Sequence, residues 1–516
     1  MATKKIANAD FLNKADALKP VLLKKTRTPQ SIVEIRKNNE GFGEIVTETD
    51  ISTLSELRMS RGDKVCLDFG NHYVGYVTLH ISYAGGPPDA PLFIKLKFGE
   101  NATEITDCSD DYNGGLSRSW IQEEWIHIDV LPSVVRVPRR YAMRFLEITV
   151  IDTSGHYRAV IEKVEFESVT SADGEHIKEL DTNDELIRKI DRVSIKTLED
   201  CMQDVFEDGP KRDRRLWIGD LRLEALANYK TFKNYDLVKR CLYLFAGTRL
   251  ANGAVGACLF TEPENIVDDI YLYDYALFFV PILLDYFKES NDMETALELW
   301  DVAYQQLEIA IDGTDENNVV IDGGADFWCF LDWKDGLNKQ AGAQAVLIYC
   351  LKRGIELGKL LSKDVSYLEQ KLGDATDAAK EILWDKEQKF FVSGSEKQIS
   401  YASQVWMILA GVFDKETNYD LLKRLVELDP EIDMVTPYMY HNFVMAFIEC
   451  GDYEEAMKYI KSYWGEMIND GADTFWELYN PKNKRESPYG SSIVNSYCHA
   501  WSCTPTYIFR KHFFNK

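Results

Sequence analysis

Positive charge is the first thing this 516-residue sequence is short of: 59 lysines and arginines stand against 84 aspartates and glutamates, a formal charge of −25. Nucleic-acid binding rests on neutralising phosphates with cations, so this balance argues against nucleic acid as a partner and against docking on an anionic membrane surface. Neutral ligands such as sugars remain open. The ten cysteines are spread singly, with no CxxC pair and no even framework, and so carry the signature of neither a zinc site nor a disulfide scaffold. No apolar run approaches the roughly 18 residues that span a bilayer. The opening MATKKIANADFLNKADALKP is polar and lacks the apolar core of a secretory signal. These absences lead to the expectation of a reduced, cytoplasmic protein that uses no metal and no organic cofactor.

The chain is long enough for two or more domains with a sizeable core, and its two halves have different periods. Up to about residue 175, segments such as KVCLDFGNHYVGYVTLHISYAGGPP, PLFIKLKFGE, RFLEITVIDTSG and RAVIEKVEFESV alternate apolar and polar residues and stop at Gly, Pro, Asp or Asn. That pattern predicts an antiparallel β-sandwich over residues 1–178. From about residue 180 the apolar spacing becomes that of helices, beginning with DTNDELIRKIDRVSIKTLEDCM. About twelve helices are expected, the last over 495–511. YDYALFFVPILLDYF, QAGAQAVLIYCL and YHNFVMAFIECG are apolar nearly all round, whereas METALELWDVAYQQLEIAID and YEEAMKYIKSYWGEM are amphipathic. Helices apolar all round are buried and amphipathic ones face solvent. Rough alternation of the two kinds predicts an inner ring inside an outer one, an (α/α)6 barrel over residues 179–516. A generic α-solenoid is the competing architecture, but no fixed-period repeat is present.

Loops of the helical half gather carboxylates, aromatics and glycine: DGPKRDRRLWIGD, GGADFWCFLDWKDGLNKQAG, DGADTFWELYNP and NSYCHAWSCTP. Such loops are where functional residues concentrate. Rings stack on the apolar faces of sugars while carboxylates accept from hydroxyls, and two carboxyls flanking a glycosidic bond supply general acid and general base. Each feature also has a structural reading: a Trp-Asp pair as core plus helix cap, Trp476 as ordinary packing, His499 as a hydrogen-bonded core histidine, Arg212, Arg214 and Arg215 as partners of nearby carboxylates. Phosphate binding is the least favoured, because GPKRDRR lacks a Gly-rich cradle with a terminal Lys-Ser/Thr and each of its cations lies close to an aspartate.

These segments resemble the α-L-rhamnosidases of glycoside hydrolase family 78, among the six-hairpin glycosidases. The family's Asp-Cys-Pro-x-Arg-Glu-Arg-x-x-Trp-x-Gly-Asp is similar to the stretch from Asp208 to Asp220, Thr474 to Glu477 looks like its Thr-x-Trp-Glu, and SYCHAWSCTPTYIF its Ser-x-x-His segment. LDFGNHYVGYVTLHI resembles strands of the sandwich that precedes the barrel in the family. The resemblance implies an inverting hydrolase with Asp213 at the general-acid position and Glu477 at the general-base position. It further implies that Asp208, Arg212, Trp217, Asp220, Trp476 and His499 contact the sugar. Asp332, Trp333 and Asp335 are candidates by loop position alone. One departure matters: the family has Glu where this chain has Asp213, and a carboxyl displaced by roughly an ångström costs about 10²-fold when the geometry is unadjusted. Asp208 is the alternative acid.

The expected function is release of a terminal α-L-rhamnosyl or related residue from small glycosides or oligosaccharides. Another six-hairpin glycosidase, a glycuronyl hydrolase, a phosphorylase, or a carbohydrate-binding protein that has lost catalysis are the alternatives. A homo-oligomer paired through the sandwich is also left open.

Overall fold

The computed structural model describes residues 5–323 and 327–514. Its N-terminal part is a network of nine antiparallel strands. The organising strand is Lys64–Gly85, 22 residues long. Its first part pairs with Ser31–Lys37 and with Tyr141–Asp152, and its second with Tyr157–Thr170. Its register shifts between Asp68 and Tyr73, so one strand serves two stretches of sheet. The alternation in its sequence is the alternation of its burial: Val77, Leu79 and Ile81 point inward with Leu92, Ile94, Leu96, Ile148, Val150 and Ile161.

The helical part comprises α3 (Glu185–Cys201), α4 (Ile218–Lys230), α5 (Tyr235–Gly247), α6 (Tyr273–Ser290), α7 (Met293–Asp312), α8 (Gln340–Leu360), α9 (Ser366–Ala378), α10 (Tyr401–Leu409), α11 (Lys415–Leu428), α12 (Pro437–Cys450), α13 (Tyr453–Asn469) and the short α14 (Pro505–Ile508). Two further helices, α1 (Ala9–Ala17) and α2 (Ala102–Thr106), precede them. Asp or Asn side chains cap α3, α5, α7, α11 and α13, satisfying backbone donors that a helix start leaves orphaned. Helix α4 packs on α6, α6 on α8, α8 on α10 and α10 on α12, and the turn Ala500–Ser502 touches both α12 and α4. The apolar α6, α8, α10 and α12 are the buried ones, as their composition demands. Helix α4 is equally buried although its sequence is mixed, with Asp220, Arg222 and Glu224 all inside.

The structure differs from the sequence expectation in two places. The helix expected over 495–511 begins only at Pro505. The backbone N–H groups of His499 and Ala500 are taken by the carbonyls of Phe475 and Asp208, which holds His499 extended ahead of a single 3-10 turn at Ala500–Ser502, and Pro505 then sets the helix start. Residues near the N-terminus, expected with the sheets, lie instead on the helical part. Ile6 and Ala7 pair with Arg249 and Thr248, and α1 packs on α5. Among the described residues, no helix is long and apolar enough to cross a membrane.

Candidate active site

The segment from Asp208 to Asp220 joins α3 to α4 and is pinned from within. The Asp208 carboxyl accepts the backbone N–H of Asp213 with one oxygen and that of Arg215 with the other, each at 3.0 Å. Two glycines permit close approach. A Cβ on Gly209 would lie 2.4 Å from the Arg212 carbonyl oxygen, and one on Gly219 would lie 2.1 Å from the ring of Tyr275.

The four cations of the segment have separate tasks. Lys211 is fully buried; its ammonium meets Glu104 and the Asn495 carbonyl, each at 2.5 Å. Arg214 donates to the carbonyls of Arg140 and Lys211, so it holds backbone rather than a carboxylate, and burial pushes its guanidinium down to about 10. Arg215 lies over the Phe260 ring and reaches Asp213 only at 3.9 Å. Arg212 turns inward. Its Nη2 pairs with Glu477 Oε2, its Nη1 lies 3.3 Å from Asp213 Oδ1, and its Nε donates to the Val494 carbonyl. One guanidinium therefore bridges Asp213 and Glu477.

These groups face a cavity of about 420 Å³. Of the residues singled out in the sequence, Asp208, Arg212, Asp213, Trp217, Asp220, Asp332, Trp333, Glu477 and His499 line it. Two do not. Trp476 is buried in the core against Phe42, Tyr479 and Tyr497, and Asp335 is exposed outside the lining. Asp332 lines the cavity but is also a loop staple, accepting from the Thr436 hydroxyl at 2.6 Å and the Val435 N–H at 3.0 Å.

Burial governs the protonation of this cluster, since desolvation disfavours the charged form. The Asp208 carboxyl is pushed up to about 8 by burial and then by the charge of Asp213. Asp220 is raised well above the usual carboxylate range by burial, Asp208 and Glu477. Burial likewise raises Asp332 to about 7. His499 is lowered well below 6.5 by burial and the nearby Arg212, which keeps its ring neutral. Asp220 Oδ1, Trp217 Nε1 and His499 Nδ1 are buried without a hydrogen-bond partner in the protein. Buried polar atoms in folded proteins are nearly always satisfied; here the carboxyl and ring atoms of Asp220 and His499 lie 3.6 Å apart, too far for a hydrogen bond. Of ligand-type side chains among the described residues, the buried His72, Asp200 and Cys498 converge outside the cavity lining. There Asp200 is already engaged by His72 at 2.7 Å and Lys196 at 3.0 Å.

Residues 29–168 match the model of the glycosyl hydrolase family 78 α-rhamnosidase N-terminal domain, and residues 175–513 that of the bacterial α-L-rhamnosidase six-hairpin glycosidase domain. A rhamnosidase from Klebsiella oxytoca, solved with rhamnose bound, is 44% identical with a TM-score of 0.96, over 98% of this chain and 99% of its own. The chain belongs to glycoside hydrolase family 78. As a member of that α-L-rhamnosidase family it is a glycoside hydrolase. Two larger structures share the fold. The family 78 rhamnosidase of Bacillus sp. GL1 is 19% identical with a TM-score of 0.72, covering 87% of this chain and 46% of its own. The Streptomyces avermitilis α-L-rhamnosidase complexed with L-rhamnose is 15% identical with a TM-score of 0.68, covering 96% and 44%. The chain thus spans less than half of either. No curated protein sequence matches it.

Several lining residues of this family 78 chain were not singled out by its motifs: Leu116, Tyr275, Trp328, Phe330, Tyr489 and Trp501. Trp501 lies within the quoted His499 segment, two residues on in the extended stretch and turn before α14, and was open to detection. Leu116 comes from the N-terminal part, far from any motif, and carried no signal.

Proposed function

We propose that this chain hydrolyses terminal α-L-rhamnosides of small glycosides or oligosaccharides with inversion. In this reading Glu477 activates the attacking water and Asp213 protonates the leaving oxygen. The observation that carries it is the bridge through Arg212, which ties to a single guanidinium two carboxyls that both line one sugar-sized cavity. The 44% identical rhamnosidase with rhamnose bound supports the sugar. Asp213 is favoured over Asp208 as the acid because its side chain keeps 19% of its surface exposed at the cavity, against 6% for Asp208. Asp220, Trp217 and His499 offer unpaired polar atoms to the sugar hydroxyls. Inversion requires roughly 6.5–9.5 Å between the two carboxyls, which leaves room for the water.

A phosphorylase needs a free cation for phosphate. The cavity's cations are committed, Arg212 to the two carboxyls and Lys339 to the Cys329 carbonyl, which favours the hydrolase. The series of neighbouring even-numbered helices, closed through the Ala500–Ser502 turn, supports an (α/α)6 barrel. The last long strand ends at Thr170 and α3 begins at Glu185, which supports a division near residues 178 and 179, apart from the N-terminal residues that lie on the helical part. Ten free cysteines fit a reducing compartment, hence a cytoplasmic location.

The test is release of p-nitrophenol from a panel of p-nitrophenyl glycosides by wild type, Asp213→Asn and Glu477→Gln. Turnover of the α-L-rhamnoside, lost by about 10³-fold or more in Glu477→Gln, is expected. Silence across the panel with rhamnose binding still measurable by calorimetry would favour the inactive binder.

A further inference from the structure

The geometry points to Tyr489 as a positioning residue for Glu477, seated by the N-terminal part of the chain. This inference rests on the reading of Glu477 as the base. The Tyr489 hydroxyl donates to Glu477 Oε1 at 2.5 Å. The other oxygen, Oε2, takes Arg212 and the Ser496 N–H at 3.3 Å. The Arg212 guanidinium also lies over the Tyr489 ring, 4.3 Å from its centroid. Glu477 is therefore gripped on both oxygens, and its carboxylate plane cannot turn without breaking one contact. A base that must meet a water in a single trajectory gains from that fixed plane, because catalytic geometry misplaced by an ångström costs about 10²-fold. Burial and the charge of Glu477 push the phenol well above 10, so it stays a donor through the neutral range.

What seats Tyr489 comes from elsewhere in the sequence. Its carbonyl accepts the N–H of Gly115 at 2.8 Å. Its ring joins Tyr112, Leu116, Ile121, Ile493 and Val494 in a small apolar cluster shared by both parts of the molecule. A Cβ on Gly114 would approach the Tyr489 carbonyl oxygen to 2.7 Å, so this strap, residues 112–116, comes as close as a glycine allows. Leu116 of the same strap lines the cavity.

The experiment compares Tyr489→Phe with Glu477→Gln and wild type on two rhamnosides, one with p-nitrophenol as leaving group and one with a sugar alcohol. The phenylalanine keeps the ring and its cluster and removes only the donor. Loss of base alignment slows water attack whatever the leaving group. The expected result is a fall in kcat of about 10- to 100-fold on both substrates, with KM within about twofold and L-rhamnose binding by calorimetry unchanged. Wild-type kcat in Tyr489→Phe would overturn the inference, as would a raised KM or lost rhamnose binding, since the hydroxyl would then serve the sugar or the fold. If Glu477→Gln itself retained activity, the reading of Glu477 as base would be what failed.

Discussion

Arg212 and Lys211 are neighbours in sequence with the same charge, yet one faces the cavity and the other anchors the loop. Charge does not separate them, although the family pattern has Arg at position 212 and any residue at 211; their side-chain directions follow from a backbone that Asp208 folds around itself. Asp208, Asp220 and Glu477 were legible because their types and order match a family pattern, and Asp213 by its position in that pattern, where the family has Glu. Trp476 and Trp501 could not be sorted by type; the first is core and the second lines the cavity. The buried carboxyls also make stability depend on pH. Asp208 has a folded value of about 8, above its ordinary 3.8. Its contribution is therefore fully present below about pH 4 and is lost as pH rises through about 8. Wild-type Tm is expected to fall over that window, and Asp208→Asn to flatten the fall. Asp332 and Glu104, each raised to about 7, act in the same direction and leave a residual slope in the variant. A curve for Asp208→Asn parallel to that of wild type would show that Asp208 is ionised throughout.

The helices were legible as elements because their apolar spacing and Asp or Asn caps agree. Helix α4 carries Asp220, Arg222 and Glu224, so its sequence lacks the all-round apolar character that marks the other buried helices, yet all three are buried. Asp220 is at the cavity and Arg222 lies between the rings of Phe278 and Trp406, while both carboxyl oxygens of Glu224 are buried without a hydrogen-bond partner in the protein. The start of α14 was missed for a related reason. Local propensity says helix, but long-range backbone bonds to Phe475 and Asp208 hold His499 extended and leave only a single 3-10 turn at Ala500–Ser502. Contact between α4 and α6 is set by Gly219 against Tyr275. Gly219→Ala inserts a methyl where the ring already lies, and overpacking of this kind costs about 1–3 kcal/mol. Urea unfolding should show that loss together with weakened rhamnose binding, since Tyr275 lines the cavity. An unchanged midpoint would mean that the ring moves aside freely.

At the scale of the whole molecule, the two parts share one buried polar seam. His72 of the long strand meets Asp200 of α3, and Glu100 lies near both His72 and Lys211. Lys211 pairs with Glu104 of α2, and Arg144 joins Asp68 to Asp473. Breaking a buried pair by removing one partner costs about 3–5 kcal/mol, so the loop that carries Asp213 depends on the sheets for its position. The sequence revealed two halves by their periods but not this seam, whose residues lie far apart along the chain and belong to no motif. All three scales converge on a cavity in which Arg212 ties Asp213 and Glu477 to one guanidinium, and the proposed function has water attack there with inversion. The measurement that tests this most directly is proton NMR of the first sugar released from p-nitrophenyl α-L-rhamnoside, recorded before mutarotation. The account predicts β-L-rhamnose as the initial product, and α-L-rhamnose appearing first would contradict it.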